Sequence, residues 1–224
     1  MMCGRFNLTR PADVERRFGF LDWHERRVQP RFNIAPTQPI LILFQSGTGP
    51  RSATYARWGL DVSRSQTPTA KRRPPPINAR AESLATNPVF RAARRCLIPA
   101  TGFFEWQAGR PMHIQLREGQ LFAFAGLWLP GATPSAAIVT TRPNALVSPI
   151  HDRMPAILRP DDEPHWLDGA PANLLLQPYP ADGMRAYAVG PGVNKWENDD
   201  PSVLDAAPEA PVTTVPRTLP LWEA

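Results

Sequence analysis

The sequence lacks any long hydrophobic run. Although 42% of its 224 residues are hydrophobic, no stretch approaches the ~20 consecutive apolar residues that a membrane-spanning helix requires. The N-terminal segment contains Arg5, Arg10, Glu15, Arg16 and Arg17, which are too many charges for the apolar part of a secretory signal. We therefore expect a cytoplasmic protein without a membrane partner.

Cysteine is scarce as well. The chain has two cysteines, Cys3 and Cys96, and neither belongs to a Cys-x-x-Cys pair. This spacing offers no disulfide framework and no ligand pattern for structural zinc. We accordingly expect no metal ion and no cofactor.

The charge of the chain is moderate and positive. Lys and Arg together number 25 against 20 Asp and Glu, which gives a net charge of +5. Arginine carries nearly all of the positive charge, and its planar guanidinium suits phosphate recognition. This bias indicates a nucleic-acid partner, whereas the same charge spread evenly would serve only solubility.

Proline is abundant, and the 28 prolines exclude long helices over most of the chain. Thr9 and Pro11 precede Val14 and Phe18 at helical spacing, which predicts one short helix there. Further short helical pieces are predicted near Ser83–Ala85, Val89–Arg94 and Asp161–Leu167.

Short apolar or β-branched runs bounded by turn residues indicate β-strands. Many short strands with few helices predict an α+β fold, with a barrel-like, mainly antiparallel β core and short peripheral helices, in a single domain over residues 1–224. Residues 61–76 are expected to form a mobile loop that touches DNA or serves as a solvated linker, and residues 205–224 to fray. The predicted strands are Ile40–Phe44, Thr54–Trp58, Cys96–Ile98, Phe103–Trp106, Met112–Leu116, Leu121–Trp128, Ala136–Thr141, Met154–Leu158 and Ala186–Val189.

Cys3 lies close to the start of the chain, in Met1-Met2-Cys3-Gly4-Arg5-Phe6. A cysteine that becomes the first residue carries a thiol and a free α-amine on adjacent carbons. The amine can condense with an aldehyde to an imine, and the thiolate can then close a five-membered ring on the same carbon. The alternative is that Cys3 is simply a small residue that opens the first strand.

Three polar residues lie in segments that are typical of a functional site. Asn78 follows a proline run that fixes an extended backbone. Glu105 has aromatic neighbours, so burial should raise its pKa and suit it to proton transfer, although a salt-bridged core acid would have the same pattern. His151 lies in a rigid loop between Pro149 and Pro155, a setting that fits a catalytic imidazole or a structural hydrogen-bonding residue.

An arginine lies two residues after Cys3, Asn78 and His151 in turn, and this pattern fits a groove that follows a phosphate backbone. Trp58 and Trp106 are suited to stack on bases, a contact worth ~1–3 kcal/mol each. Packing in the core is the alternative for both tryptophans. The three arginines are Arg5, Arg80 and Arg153.

Seven ordered blocks between Cys3 and about Asn198 resemble the SOS response-associated peptidase (SRAP) family. Their number and order make chance agreement implausible. The blocks are Cys3-Gly4-Arg5-Phe6, Arg31-Phe32-Asn33-Ile34-Ala35-Pro36, Arg57-Trp58-Gly59-Leu60, Asn78-Ala79-Arg80-Ala81-Glu82, Arg95-Cys96-Leu97-Ile98-Pro99, Gly102-Phe103-Phe104-Glu105-Trp106 and His151-Asp152-Arg153-Met154-Pro155.

The resemblance implies a protein that shields abasic sites in single-stranded DNA through a covalent DNA–protein crosslink. Cys3 would form the crosslink as a thiazolidine, and Asn78 would position the adduct. Glu105 would exchange protons with the amine and imine, and His151 would assist sugar-ring opening. The arginines and tryptophans named above would contact flanking phosphates and splayed bases. The expected partner is single-stranded DNA that contains abasic sites, bound by a monomer in the DNA damage response.

Two alternatives stay open. A thiol peptidase would use Cys3, His151 and Glu105 as nucleophile, base and orienting acid, and a non-covalent binding module for single-stranded DNA or a modified base would not need Cys3. Since a thiazolidine requires an unblocked amine, we expect either a translation start at Met2 or self-excision of the leader, the autopeptidase activity behind the family's name. Residues 193–199 follow the family pattern loosely and receive no role.

Overall fold

Two β-sheets make up most of the computed structural model, which describes residues 3–19, 28–45, 49–62 and 74–208. The strands are β1 (Arg5–Leu8), β2 (Arg31–Ile34), β3 (Pro39–Gln45), β4 (Arg51–Trp58), β5 (Asn78–Arg80), β6 (Arg94–Ala100), β7 (Gly102–Gln107), β8 (Arg110–Leu116), β9 (Phe122–Leu129), β10 (Ser135–Thr141), β11 (Met154–Pro155), β12 (Ile157–Leu158) and β13 (Met184–Ala188). The helices are α1 (Ala12–Phe18), α2 (Pro88–Ala92), α3 (Asp162–Leu167) and α4 (Ala172–Leu175).

The larger sheet closes on itself. The strand order β10-β4-β3-β6-β9 returns to β10, because β9 and β10 also pair with each other. Strand β10 further pairs in parallel with β5, from Ile138 opposite Asn78 to Thr140 opposite Arg80. The β10–β4 pairing is parallel and the remaining pairings of the ring are antiparallel. This arrangement confirms the predicted α+β fold with a barrel-like, mainly antiparallel core.

The smaller sheet has the antiparallel order β13-β8-β7-β1-β2. Its strand β1 contributes Phe6, whose ring meets those of Trp58 and Phe124 edge-on at centroid distances of 5.2 and 5.8 Å. Trp58 and Phe124 belong to the closed ring, so one hydrophobic core joins the two sheets. Burying a large apolar side chain of this kind contributes ~1.5–3 kcal/mol.

Helix α1 confirms the helix that the Val14 and Phe18 spacing predicts. Both side chains are buried, and Gly19 ends the helix at φ 53° with its N–H donating to the carbonyl of Glu15. Glycine favours the left-handed conformation at this position because it has no Cβ to clash. The predicted helical pieces near residues 89–94 and 161–167 correspond to α2 and α3, and the piece near 83–85 overlaps a 3₁₀ turn at Ala81–Ser83.

Each predicted strand overlaps an observed one, with one interruption. The run Met154–Leu158 is split at Ala156, whose backbone N–H donates to the carbonyl of Val139 and whose carbonyl accepts from Ala125. Ala156 thus lies between β10 and β9, and at this residue the chain changes from pairing with β10 to pairing with β9. The list of predicted strands does not contain β1, β2 or β5, and helix α4 was not predicted either.

The expected loop and tail lie partly outside the described residues. Most of the 61–76 loop, residues 63–73, and most of the tail, residues 209–224, fall there. The expectation that the tail frays from Asp205 is wrong for its first residues, because Ala206 pairs with Val189 and the N–H of Ala207 donates 2.8 Å to the carbonyl of Ala188. None of the helices in the described ranges is long and apolar enough to cross a membrane.

Candidate active site

Cys3 and Glu105 are in direct contact. Strand β1 pairs antiparallel with β7, with Arg5 opposite Phe104. This register places the two residues that precede β1, Cys3 and Gly4, beside β7. The backbone nitrogen of Cys3 donates a hydrogen bond of 2.6 Å to Oε1 of Glu105. Cys3 has a φ of 34°, which is costly for a residue other than glycine and is typical of functional positions.

Burial controls the titration of both groups. Glu105 is 1% exposed, and desolvation raises its pKa from 4.5 to about 7 against the opposing effect of the Cys3 hydrogen bond. The pKa of the Cys3 thiol is raised well above its ordinary value, first by burial and then by the charge of Glu105. The thiol is buried and protonated. The group placed to activate Cys3 is therefore the carboxyl group of Glu105, which accepts a hydrogen bond from the Cys3 nitrogen.

His151 lies in a loop that faces Glu105. The amide of Gln107, at the end of β7, donates 3.1 Å to the carbonyl of Pro149, and the charge of Asp152 raises the pKa of Glu105. Nδ1 of His151 accepts a 3.1 Å hydrogen bond from the backbone N–H of Arg153 and lies 2.9 Å from Oδ1 of Asp152.

Asn78 lies on the larger sheet. It is half-buried at the start of β5, opposite Ile138 of β10. Cys3, Glu105 and the His151 loop therefore come from the smaller sheet and its neighbouring loop, whereas Asn78 comes from the larger sheet. No hydrogen bond joins Cys3 to His151, both of which are described residues, so the contact expected of a thiol–imidazole pair is not formed.

Two of the three predicted DNA-binding arginines make contacts within the protein. Arg5 donates to Oδ1 of Asn33 at 2.9 Å and to the carbonyls of Val193 and Asn194 at 2.5 and 3.2 Å. Arg153 forms a two-pronged ion pair with Glu82 at 2.7 and 2.9 Å and donates 2.7 Å to the carbonyl of Thr140. Arg80, at the end of β5, is exposed. These contacts make Arg5 and Arg153 structural links around the site.

The two predicted tryptophans lie in different surroundings. Trp58 is completely buried, its Nε1–H donates 2.9 Å to the carbonyl of Ile77, and its ring packs on Phe6. The expectation that Trp58 stacks on bases is therefore wrong in this structure, and core packing is what it does. Trp106 is partly exposed beside Glu105, and its Nε1–H donates 2.9 Å to Oδ1 of Asn194.

Sequence analysis missed the residues that hold the 193–199 segment against the site. Asn33 is buried, and its amide nitrogen lies 2.9–3.1 Å from the carbonyls of Val193, Lys195 and Asn198. Asp199 accepts hydrogen bonds from the backbone N–H groups of Phe32 and Asn33 at 2.5 and 2.8 Å. The available signal was an asparagine inside an apolar strand, since a buried amide must find partners.

The described residues hold no group of three His, Cys, Asp or Glu side chains close enough to bind a metal ion. The polar centre of this region is instead the Cys3–Glu105 pair, with the His151 loop beside it.

The chain belongs to the SOS response associated peptidase (SRAP) family, whose model matches residues 2–196. It is 39% identical over 231 aligned positions to abasic site processing protein YoqW of Bacillus subtilis (strain 168), which covers 92% of this chain and 100% of that protein. It is 27% identical to abasic site processing protein HMCES of Xenopus tropicalis, over 92% of this chain and 78% of that protein. Its fold is similar to the crystal structure of a protein from Bacteroides thetaiotaomicron, with a TM-score of 0.73 at 24% identity over 92% of this chain and 100% of that chain.

Proposed function

We propose that this protein binds single-stranded DNA and shields abasic sites by forming a covalent thiazolidine crosslink through Cys3. The observation that carries the proposal is the 2.6 Å hydrogen bond between the nitrogen of Cys3 and Oε1 of Glu105. The printed names of YoqW and HMCES, abasic site processing proteins, support the choice of substrate. The site acts in the DNA damage response and uses no cofactor.

The reactive amine is the nitrogen that Glu105 already contacts. Once Met1 and Met2 are removed, this nitrogen becomes the α-amine of Cys3, and the removal must also open access to the buried thiol. A free α-amine has an ordinary pKa of about 7.7–8.0, and burial raises the pKa of Glu105 toward that range. The carboxylate can therefore take a proton from the ammonium and return it later.

The chemistry proceeds by condensation and ring closure. The ring-opened deoxyribose presents a C1′ aldehyde. Glu105, protonated by the ammonium, gives its proton to the carbonyl oxygen as the amine adds, and it then takes a proton from the nitrogen to leave the neutral carbinolamine. Protonated Glu105 gives this proton to the hydroxyl, which leaves as water and produces an iminium. The sulfur adds to the same carbon and forms the C–S bond while the carboxylate of Glu105 takes the proton of the thiol. Aldehyde and aminothiol thus give the thiazolidine and one water, in a ring closure favoured by proximity.

The remaining site residues receive supporting roles. His151, in the loop beside Glu105, assists opening of the deoxyribose ring, and Asn78, at the start of β5, positions the adduct. Arg80 is exposed and contacts a flanking phosphate. Arg5 holds the 193–194 segment beside the site through hydrogen bonds to Val193 and Asn194, and its charge is partly offset by Glu197. The bound strand needs no sequence reading, since backbone contacts and stacking are sufficient.

The test is incubation of the processed protein with single-stranded DNA that carries one abasic site. We expect a band that survives denaturation, with a mass equal to protein plus DNA minus one water. Cys3→Ala should abolish it, whereas Cys96→Ala, which removes the other buried thiol, should retain it. An unchanged adduct in Cys3→Ala, or none in the processed wild type, would contradict the proposal. Intact non-covalent binding by Cys3→Ala without any adduct in the wild type would favour the binding-module alternative.

A second activity, self-removal of the leader, is favoured by the surroundings of Cys3. Its backbone nitrogen donates to Glu105, and its φ is left-handed. The thiol would attack the carbonyl of Met2, Glu105 would protonate the departing nitrogen, and water would hydrolyse the resulting thioester.

Intact mass measurement tests self-removal. When it is purified in the full-length form and then incubated, the wild type should lose residues 1 and 2. Glu105→Gln should retain them under the same conditions. Equal loss in both proteins would assign the cleavage to another enzyme.

A further inference from the structure

Trp196 is the exposed aromatic residue of this region. Its side chain is 51% exposed, and the other large exposed hydrophobic residue in the described ranges is Leu174 of α4, at 69%. Large aromatic side chains are usually buried, since exposure forfeits most of their hydrophobic stabilisation. A tryptophan kept in solvent therefore calls for a ligand or for a segment that cannot bury it.

The backbone around Trp196 is fixed by hydrogen bonds. The N–H of Lys195 donates to the carbonyl of Gly192 at 3.2 Å, and the N–H of Asn198 donates to the carbonyl of Lys195 at 3.1 Å. The side-chain amide of Asn198 donates 2.9 Å to Gly192, and buried Asn33 contacts the carbonyls on both sides of Trp196. The exposed indole thus lies on a turn that is closed by hydrogen bonds, and the backbone that carries it has little conformational freedom.

The same turn is bonded to both strands that carry the Cys3–Glu105 pair. Arg5, two residues after Cys3, donates to the carbonyls of Val193 and Asn194. Trp106, the residue after Glu105, donates from its indole nitrogen to Oδ1 of Asn194. Trp196 therefore lies on a rigid turn at the border of the site, two residues beyond this pair of anchors.

We propose that Trp196 stacks on the nucleobase next to the abasic site and thereby holds the strand in register with Cys3. This inference rests on the proposed function. A single exposed aromatic matches one base, because every base offers a π-face and stacking needs no sequence match. A protein partner would need a larger apolar patch, and the described residues expose no second large hydrophobic side chain on this turn. Lys195 beside it is exposed and adds a phosphate contact. Glu197 lies near Arg5: burial lowers the pKa of Arg5, and the charge of Glu197 opposes that effect.

The test measures the second-order rate of adduct formation at low protein concentration. Trp196→Ala should slow it roughly tenfold, whereas Trp196→Phe should retain most of the rate. Leu174→Ala, which removes the other exposed hydrophobic side chain, should leave it unchanged. Trp196→Phe should keep the thermal unfolding midpoint of the wild type, and the rate of each variant is measured well below its own midpoint, so that a loss of folded protein is not read as a loss of stacking.

A second set of oligonucleotides identifies the base. In these, the nucleotide on the 5′ side, the 3′ side or both sides of the abasic site is replaced by a tetrahydrofuran spacer, which has neither a base nor an aldehyde. On one of the two sides the spacer should slow the wild type as much as Trp196→Ala does, and the variant should lose nothing further.

The outcomes separate the two proposals. An adduct that forms equally fast with wild type and Trp196→Ala overturns the stacking inference and leaves the proposed function supported. A tenfold loss that persists unchanged on every spacer substrate also overturns it, because the residue would then act without a base. Absence of any adduct with the wild type overturns the proposed function and this inference together.

Discussion

Glu105 is 1% exposed and contacts the nitrogen of Cys3. Proton transfer and stability of the folded state place conflicting demands on this residue. A proton-transfer group must hold its proton until about neutral pH, and burial achieves this by disfavouring the carboxylate. The same burial costs stability whenever the group is ionised. The position should therefore be optimised for chemistry at the expense of the folded state, which is a common feature of active sites.

This conflict predicts a pH-dependent gain in stability for Glu105→Gln. Below pH 4.5 the carboxyl is protonated in both states. As the pH rises from 4.5 to about 7, the unfolded state releases the proton and the folded state keeps it, so unfolding of the wild type becomes easier by up to about 3 kcal/mol. The variant lacks this penalty, so its advantage should grow over that window and stay constant above pH 8. Urea unfolding between pH 4.5 and 8 measures it.

Glu15→Gln is the matched control, because Glu15 is exposed on α1. Its unfolding free energy should follow that of the wild type at every pH. A Glu105→Gln difference that does not change with pH would mean that the carboxyl titrates alike in the folded and unfolded states.

At the scale of elements, apolar patterns predicted the ring strands and missed strands with buried asparagines. Strand β3 is a continuous run of Ile and Leu and was predicted within one residue at each end. Strand β2 contains Asn33 and β5 begins with Asn78, and each polar residue interrupts the pattern on which strand prediction depends. In β2 the amide is satisfied by carbonyls about 160 residues away in the chain, a long-range fact that no local pattern contains.

The site divides in the same way. The raised pKa of Glu105 was predictable from its aromatic neighbours. The role of Trp58 was not, because a tryptophan that packs on Phe6 and one that stacks on a base have the same local sequence. The bonds of Arg5 and Arg153 were also hidden, since their partners come from distant segments.

At the scale of the whole molecule, the site exists where the two sheets meet. Strand β7 of the smaller sheet supplies Glu105, and Cys3 lies just ahead of β1 in the same sheet. Phe6 packs across the junction against Trp58 and Phe124. The shared core therefore fixes the position of the Cys3–Glu105 pair relative to the closed ring.

The net charge of +5 is small for a DNA-binding protein, so few arginines should carry the phosphate contacts. We expect Arg80→Ala to weaken non-covalent binding to single-stranded DNA and to reduce the slope of log affinity against log salt by about 0.7, the value for one lost phosphate contact. Fluorescence anisotropy between about 50 and 200 mM salt measures this slope, on a strand whose abasic position is a tetrahydrofuran spacer that cannot crosslink.

Arg117→Ala is the control for net charge. Arg117 is exposed just beyond the end of β8, at Leu116, whereas Glu105 lies opposite Met112 near the other end of that strand. Both variants lose one positive charge, so a general attraction by the whole molecule would reduce affinity equally. A local contact lowers the slope only for Arg80→Ala. Equal slopes in the two variants would show that the strand is held by the overall field of the protein and not by Arg80.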